Sequence, residues 1–255
     1  MIMGKITAIV NQKGGVGKTT TAVNLAACLA EAGQRVLLVD ADPQGNATSG
    51  LLSEEPETSK TVYDLFTGNA RAAECIIPDV FPDLSLIPSD MDLAGAAAEL
   101  QDRDDRNRML RIGLREAVKN YDYIFIDCPP SLGILTINAL TAADSVLLPV
   151  QCEYYAMEGL SQMLSAVNLV RQKTNPELSI DGIVFTMYDQ RTRLSEQVVQ
   201  SVKDGLKGMH FFKTMIPRNV KLAEAPSFGQ PIIVYDSSSR GADSYRMLAS
   251  EILSM

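Results

Sequence analysis

Residues Lys13-Gly14-Gly15-Val16-Gly17-Lys18-Thr19-Thr20 stand between an apolar run, Ile6-Thr7-Ala8-Ile9-Val10, and an alanine-rich stretch from Thr21 to Ala32. A strand that feeds a glycine-rich turn, which in turn opens a helix, leaves a chain few alternatives. Glycines let backbone N–H groups close around phosphate oxygens, and the helix N-terminus adds a favourable dipole. In such a loop Lys18 holds the β- and γ-phosphates of a nucleotide and Thr19 ligates Mg2+. The loop departs from the usual pattern at its start, where Gln12 replaces the glycine expected five residues before Gly17, and it carries a second lysine, Lys13.

The rest of the chain reads as the α/β frame such a loop requires. Arg35 to Asp40 is a buried strand whose apolar run stops at a carboxylate, followed by Ala41-Asp42-Pro43-Gln44-Gly45-Asn46. Tyr123 to Asp127 repeats the construction, and its terminal carboxylate reads as one that meets magnesium directly or through water. Leu84 to Pro88, Ser145 to Val150, Ile180 to Met187 and Phe212 to Ile216 are further strand candidates. Helices are expected around Val62–Phe66, Leu93–Leu100, Gly133–Ala142, Tyr155–Lys173, Leu194–Leu206 and Gly241–Ser254, and one running on from Gln101–Arg108 to Lys119. Ser53 to Lys60 reads as a surface loop. Helices between strands fit right-handed crossovers, so the expected fold is a doubly wound, mostly parallel sheet of seven or eight strands with helices on both faces. The 255 residues suit one domain, 1–255, and no linker or repeat divides them.

Bulk properties exclude several classes. No run of about 18 apolar residues could span a bilayer, and the N-terminus enters a strand rather than a signal peptide, so a cytoplasmic protein is expected. Four scattered cysteines and a single histidine, His210, offer no zinc set. The net charge of −8 confines any nucleic-acid contact to a local patch. From Thr186 onward nine cations face seven carboxylates, a local +2, which leaves −10 on the first 185 residues. Positive charge is therefore segregated, as phosphate binding by an acidic protein requires.

The two-lysine loop resembles the deviant Walker A motif of the ParA/MinD P-loop ATPases. Together with Asp40-Ala41-Asp42-Pro43-Gln44-Gly45-Asn46, Asp127-Cys128-Pro129-Pro130-Ser131, Thr186-Met187-Tyr188-Asp189 and Ile216-Pro217-Arg218-Asn219-Val220, it is similar to the chromosome-partitioning ParA/Soj branch over essentially the whole chain. That resemblance implies a slow Mg2+-dependent ATPase that forms a homodimer on binding ATP. It also implies a dimer that binds DNA non-specifically, associates with the nucleoid, and is stimulated to hydrolysis by a ParB-type protein.

Carried over by position, the backbone of Gly14, Gly15, Val16, Gly17, Lys18, Thr19 and Thr20 forms the phosphate cradle, and Asp42 positions the attacking water. Lys13 acts across the dimer on the partner's nucleotide, with Gly14 at the interface. Asp127 is the Walker B carboxylate, and Asp40 either supports a magnesium-bound water or caps its strand. Pro217 and Asn219 hold the adenine. Arg191 and Lys221, with Arg193 nearby, present cations to DNA. The alternatives are a related ATPase that positions a protein cargo, or a metabolic or redox member of the superfamily. The nitrogenase iron protein shares the two lysines but needs cluster-bridging cysteines, which Cys128 and Cys152 do not match. Membrane cycling of the MinD type needs a basic C-terminal amphipathic helix, whereas Met247 to Met255 contains one acid and no base.

Overall fold

The computed structural model describes residues 4–52 and 60–255, so most of the expected Ser53–Lys60 loop lies outside the described residues. Among the described residues seven strands form one sheet: β1 (Lys5–Ile9), β2 (Val36–Asp40), β3 (Ile77–Phe81), β4 (Leu84–Ile87), β5 (Tyr123–Asp127), β6 (Ser145–Gln151) and β7 (Ser179–Thr186). Their order is β3-β4-β2-β5-β1-β6-β7. All neighbours run parallel except β3 against β4.

The strands are apolar throughout because both faces of the sheet are covered. Alternation along each strand then divides the core in two. Ile6, Ala8 and Val10, with Leu37, Val39, Ile124 and Ile126, enter one cluster, while Ile9, Val36, Leu38 and Phe125 enter the other. Helices α2 (Ile134–Ala142), α3 (Ala156–Lys173) and α4 (Arg193–Gly205) cover the first face, and α1 (Lys18–Glu31) and α5 (Arg240–Leu253) cover the second.

Helix α1 shows how local sequence sets the frame. Its alanines and leucines allow close approach to the sheet, and Leu25 and Leu29 are fully buried, each contributing about 1.5–3 kcal/mol. Gly33, at φ 82°, ends it in the left-handed region, with the Gln34 N–H donating to the Leu29 carbonyl at 3.1 Å. Helix α5 packs on α1 through Tyr245, whose hydroxyl lies 3.2 Å from that of Thr21. The chain's last helix is thus a core element, with Ala242, Tyr245, Leu248, Ala249 and Ile252 buried. No helix among the described residues is long and apolar enough to cross a membrane.

Three segments differ from expectation. Phe212–Ile216 runs beside β7, with bridges at Ile183–Phe211 and Tyr188–Pro217, but forms no strand. Its central N–H groups, those of Lys213 and Thr214, donate to the Glu251 carboxylate at 2.8 Å each, outside any ladder. The expected helix to Lys119 is shorter, Met109–Leu114 followed by a 3-10 turn at Ala117–Lys119. The segment before it is held by α2, where Asn138 donates to the Arg106 carbonyl at 2.7 Å and accepts from the Leu110 N–H at 3.2 Å. Strand β3 was not anticipated, because Pro78 and a positive φ of 50° at Asp79 belong to an irregular edge rather than a regular strand.

Strand order reverses beside β1, which has β5 on one side and β6 on the other. In open parallel sheets ligands bind outside the carboxyl ends of the strands at such a point. The glycine-rich loop leaves β1 there.

Candidate nucleotide site

The loop from Asn11 to Gly17 passes directly into α1. Gly15 and Gly17 take left-handed φ values of 73° and 86°, conformations that a residue with a Cβ adopts only with strain. Gly17 is the N-cap of α1 and makes no side-chain cap bond, so the first N–H groups of the helix face the space beyond it. That space is a cavity of about 420 Å3, with Gly14, Gly15, Gly17, Lys18, Thr19 and Thr20 on its near side. Val16 points the other way and is buried; its carbonyl accepts a hydrogen bond from the buried Thr186 hydroxyl at 2.8 Å, which ties the loop to the end of β7.

The two lysines of the loop do different things. Lys18 is buried and donates from Nζ to the Lys13 carbonyl at 3.0 Å, across the mouth of the loop. Burial pulls its pKa down, opposed by the charge of Asp127 and then Cys128 and Asp42. Lys13 does not line the cavity. Its N–H donates to Asn11 Oδ1 at 3.0 Å, and its ammonium pairs with Glu153, at the end of the turn between β6 and α3.

Three carboxylates stand at the ends of adjacent strands. Asp127, the last residue of β5, is fully buried, and both its oxygens lack a hydrogen-bond partner among the described residues. Burial and the neighbouring Asp40 push its pKa well up, while the Thr19 hydroxyl and Lys18 work the other way. A buried carboxylate whose oxygens are not fully met by donors is costly unless a cation completes it. Next to Thr19 and an anion cradle it fits magnesium. Among the described residues no three His, Cys, Asp or Glu side chains gather as a cage.

Asp40, by contrast, has both oxygens occupied. Oδ1 accepts from the Asp42 N–H at 3.2 Å, and Oδ2 accepts from the Thr48 N–H and hydroxyl at 2.8 Å each. Burial raises its pKa to about 6, and the Thr48 bonds restrain that rise. The carboxylate thereby braces the turn that carries Asp42. Thr48→Val should therefore lower the unfolding free energy by about 1–3 kcal/mol, since a hydroxyl bond to a buried charge is lost. A denaturant midpoint unchanged from wild type would show that the brace carries no stability.

Asp42 lines the cavity and is nearly buried. Its Oδ1 accepts from the Gln44 N–H at 3.0 Å, and Gly45, at φ 61°, closes the turn with its N–H on the Asp42 carbonyl at 2.9 Å. Gln44 and Asn46 line the same wall; both lie in the run that singled out Asp42, so the sequence did hold that signal. The far wall is Met187, which lies in one of the quoted runs without an assigned role, with Ala225, Pro226 and Gln230, which the motif reading passed over.

Pro217 and Asn219 sit elsewhere. They line a neighbouring depression of about 880 Å3, and the Asn219 side chain caps the short helix Val220–Glu224 by accepting from the Lys221 N–H at 2.7 Å. The structure therefore does not bring this pair onto the wall of the phosphate cavity. Arg191 lines the same depression, with its guanidinium held in a fork by Asp189 at 2.9 and 2.8 Å. Lys221 donates to Glu224 at 2.9 Å and lies over the Tyr235 ring. Arg193 opens α4 and is exposed.

Comparison with known proteins agrees with this frame. A family model described as AAA domain matches residues 4–180. The chain is 56% identical over 250 residues to the sporulation initiation inhibitor protein Soj of Bacillus subtilis (strain 168), covering 98% of each. It is 51% identical over 251 residues to the chromosome partitioning protein ParA of Myxococcus xanthus, covering 98% of this chain and 88% of that one. Among solved structures, cobyrinic acid a,c-diamide synthase from Mycobacterium smegmatis with bound ADP and magnesium matches with a TM-score of 0.85 at 38% identity, covering 98% of this chain and 94% of that one. A two-lysine phosphate loop, carboxylates at the ends of β2 and β5 and full-length identity above one half place the chain in the Soj/ParA family of chromosome-partitioning ATPases.

Proposed function

We propose that the chain, acting as a single domain, is an ATP-dependent dimerisation switch. As the ATP dimer it binds DNA without sequence preference, and it releases DNA on hydrolysis stimulated by a ParB-type partner. One observation carries the reading: Lys13 heads the phosphate loop yet does not line its cavity, and its part-exposed ammonium pairs with Glu153. A cation so placed is of little use to its own nucleotide and well positioned for a second copy meeting it face to face.

In this reading Lys18 and the loop N–H groups bind and neutralise the β- and γ-phosphates. Thr19 and Asp127 would hold magnesium, and Asp40 fixes the Asp42 turn from behind. Asp42 orients a water toward the γ-phosphate and takes up its proton. Lys13 of each subunit adds charge at the partner's γ-phosphate, the task of an arginine finger in other phosphoryl-transfer enzymes. Magnesium, when bound, neutralises charge on the β- and γ-oxygens. The Mycobacterium smegmatis match names a metabolic enzyme, but the higher full-length identities are to partitioning proteins, which favours the switch. Arg191, Lys221 and Arg193 are the cations this reading assigns to DNA.

The test is binding to a long arbitrary duplex at low salt with ATP, with ADP and without nucleotide, in an Asp42→Ala background that holds the ATP state. Binding in ATP alone, falling steeply with salt, is expected. Dimers that form in ATP but ignore DNA would move the function to a protein cargo.

A further inference from the structure

Glu153 is the carboxylate that meets Lys13. It stands in a tight turn between β6 and α3, where its N–H donates to the Gln151 carbonyl at 2.8 Å and its own carbonyl accepts from the Ala156 N–H at 3.0 Å. The backbone of Glu153 is therefore fixed. So is that of Lys13, whose N–H donates to Asn11 Oδ1 and whose carbonyl accepts from Lys18 Nζ, each at 3.0 Å. Of the whole contact, only two side chains are left to move.

The first turn of α3 closes the contact from the other side. A Cβ added at Gly159 would stand 3.8 Å from that of Lys13, and the space between Lys13, Val16, Glu153, Tyr155 and Gly159 is about 10 Å3, room for one water at most. No ligand larger than that fits there, so within one copy the carboxylate is where the ammonium rests. Both side chains still keep part of their surface, 38% for Lys13 and 30% for Glu153. The pair can open without unpacking the core.

We infer that Glu153 is an intramolecular restraint on Lys13, one that must be released before two copies close on their nucleotides. This rests on the reading of Lys13 given above and adds its regulation. The ammonium has two anions within its range of action: its own carboxylate, a single charge always at hand, and the phosphates of a second copy's nucleotide. One carboxylate is outweighed only by an anion of higher charge brought to close range, so the pair holds dimerisation back until a partner presents its phosphate chain. Each subunit carries one such pair, and closure opens both. The restraint therefore acts twice on one equilibrium.

The experiment measures the dimer dissociation constant in ATP and magnesium by analytical sedimentation, with Asp42→Ala as parent. Glu153→Gln keeps the shape of the side chain and removes its charge. A part-exposed ion pair is worth a few-fold, and two open per dimer, so this variant should dimerise roughly tenfold more tightly than the parent. Glu158→Gln is the control, since Glu158 is exposed on the same turn of α3 and takes no part in the Lys13 contact; it should move the constant far less. In the nucleotide-free monomer, acylation of Lys13 by an amine-reactive ester, followed by mass spectrometry, should be several-fold faster in Glu153→Gln. An unchanged acylation rate would show that the carboxylate does not hold the ammonium, and would overturn the restraint. If Glu153→Gln dimerises as the parent does, or more weakly, while Lys13→Ala stays monomeric, the restraint is overturned and the reading of Lys13 stands. If Glu158→Gln tightens the dimer as much, the effect is one of general charge and the restraint is again overturned. A parent that forms no dimer in ATP, or a Lys13→Ala protein that dimerises like the parent, overturns both.

Discussion

Asp42→Ala should bind ATP about as well as wild type and turn it over at least a hundredfold more slowly, a rise of about 3 kcal/mol in the barrier. The expectation comes from the two oxygens of that carboxylate. Oδ1 is committed to the Gln44 N–H, while among the described residues Oδ2 accepts nothing, although the side chain is nearly buried on the cavity wall. A carboxylate held rigidly by its own turn, with one oxygen free beside the phosphate cradle, can orient a water and receive its proton. Removing it leaves Lys18, Thr19 and the loop N–H groups in place, so nucleotide affinity is spared. Single-turnover hydrolysis measured beside nucleotide titration separates the two effects. A variant that hydrolyses ATP at the wild-type rate would remove Asp42 from the mechanism.

Gly14→Val should fold and bind nucleotide yet stay monomeric in ATP. Nothing within the chain requires glycine at this position. Its φ is outside the left-handed region, and an added Cβ would meet only Pro130 Cβ, at an ordinary 3.9 Å. Gly15 and Gly17, by contrast, are held by their φ values. On the dimer reading proposed above, this exposed, unstrained glycine next to Lys13 is where a second backbone would approach closely. The branched valine would hold the two loops apart and keep each Lys13 from the other's phosphates. Light scattering in ATP decides the matter, and a stable dimer would rule out this geometry.

The sequence disclosed most about the parts that are local. The strand read at Ile6–Val10 and the helix read from Thr21 to Ala32 are found one to three residues earlier, at Lys5–Ile9 and Lys18–Glu31, and Asp40 and Asp127 end their strands as the runs indicate. What escaped it depends on distant pairings. The far wall of the cavity, Ala225 to Gln230, reaches the loop from some two hundred residues away. The partner of Lys13, Glu153, is equally invisible to any window of sequence. Asp40 was open to two readings until Thr48 could be seen filling its second oxygen. Residues 212–216 have a strand's composition, but a carboxylate on α5 takes the donors that a ladder needs. Cations, too, look alike in sequence; only the fold shows that Arg191 is already forked onto Asp189 and Lys221 paired with Glu224.

The hydrogen bond from Thr186 to Val16 joins two places that otherwise share only the sheet. Thr186 is the last residue of β7 and Val16 lies within the phosphate loop, so the loop cannot shift without the strand end. The next two residues divide between the two depressions, Met187 to one and Tyr188 to the other. From the loop contact to the cationic depression the chain runs through only Thr186, Met187 and Tyr188. Linkage makes such a path symmetrical: whatever factor ATP adds to affinity at the depression, an occupant of the depression returns to ATP. A polyanion lying there would then be a nucleotide-retention factor as well as a surface to stand on.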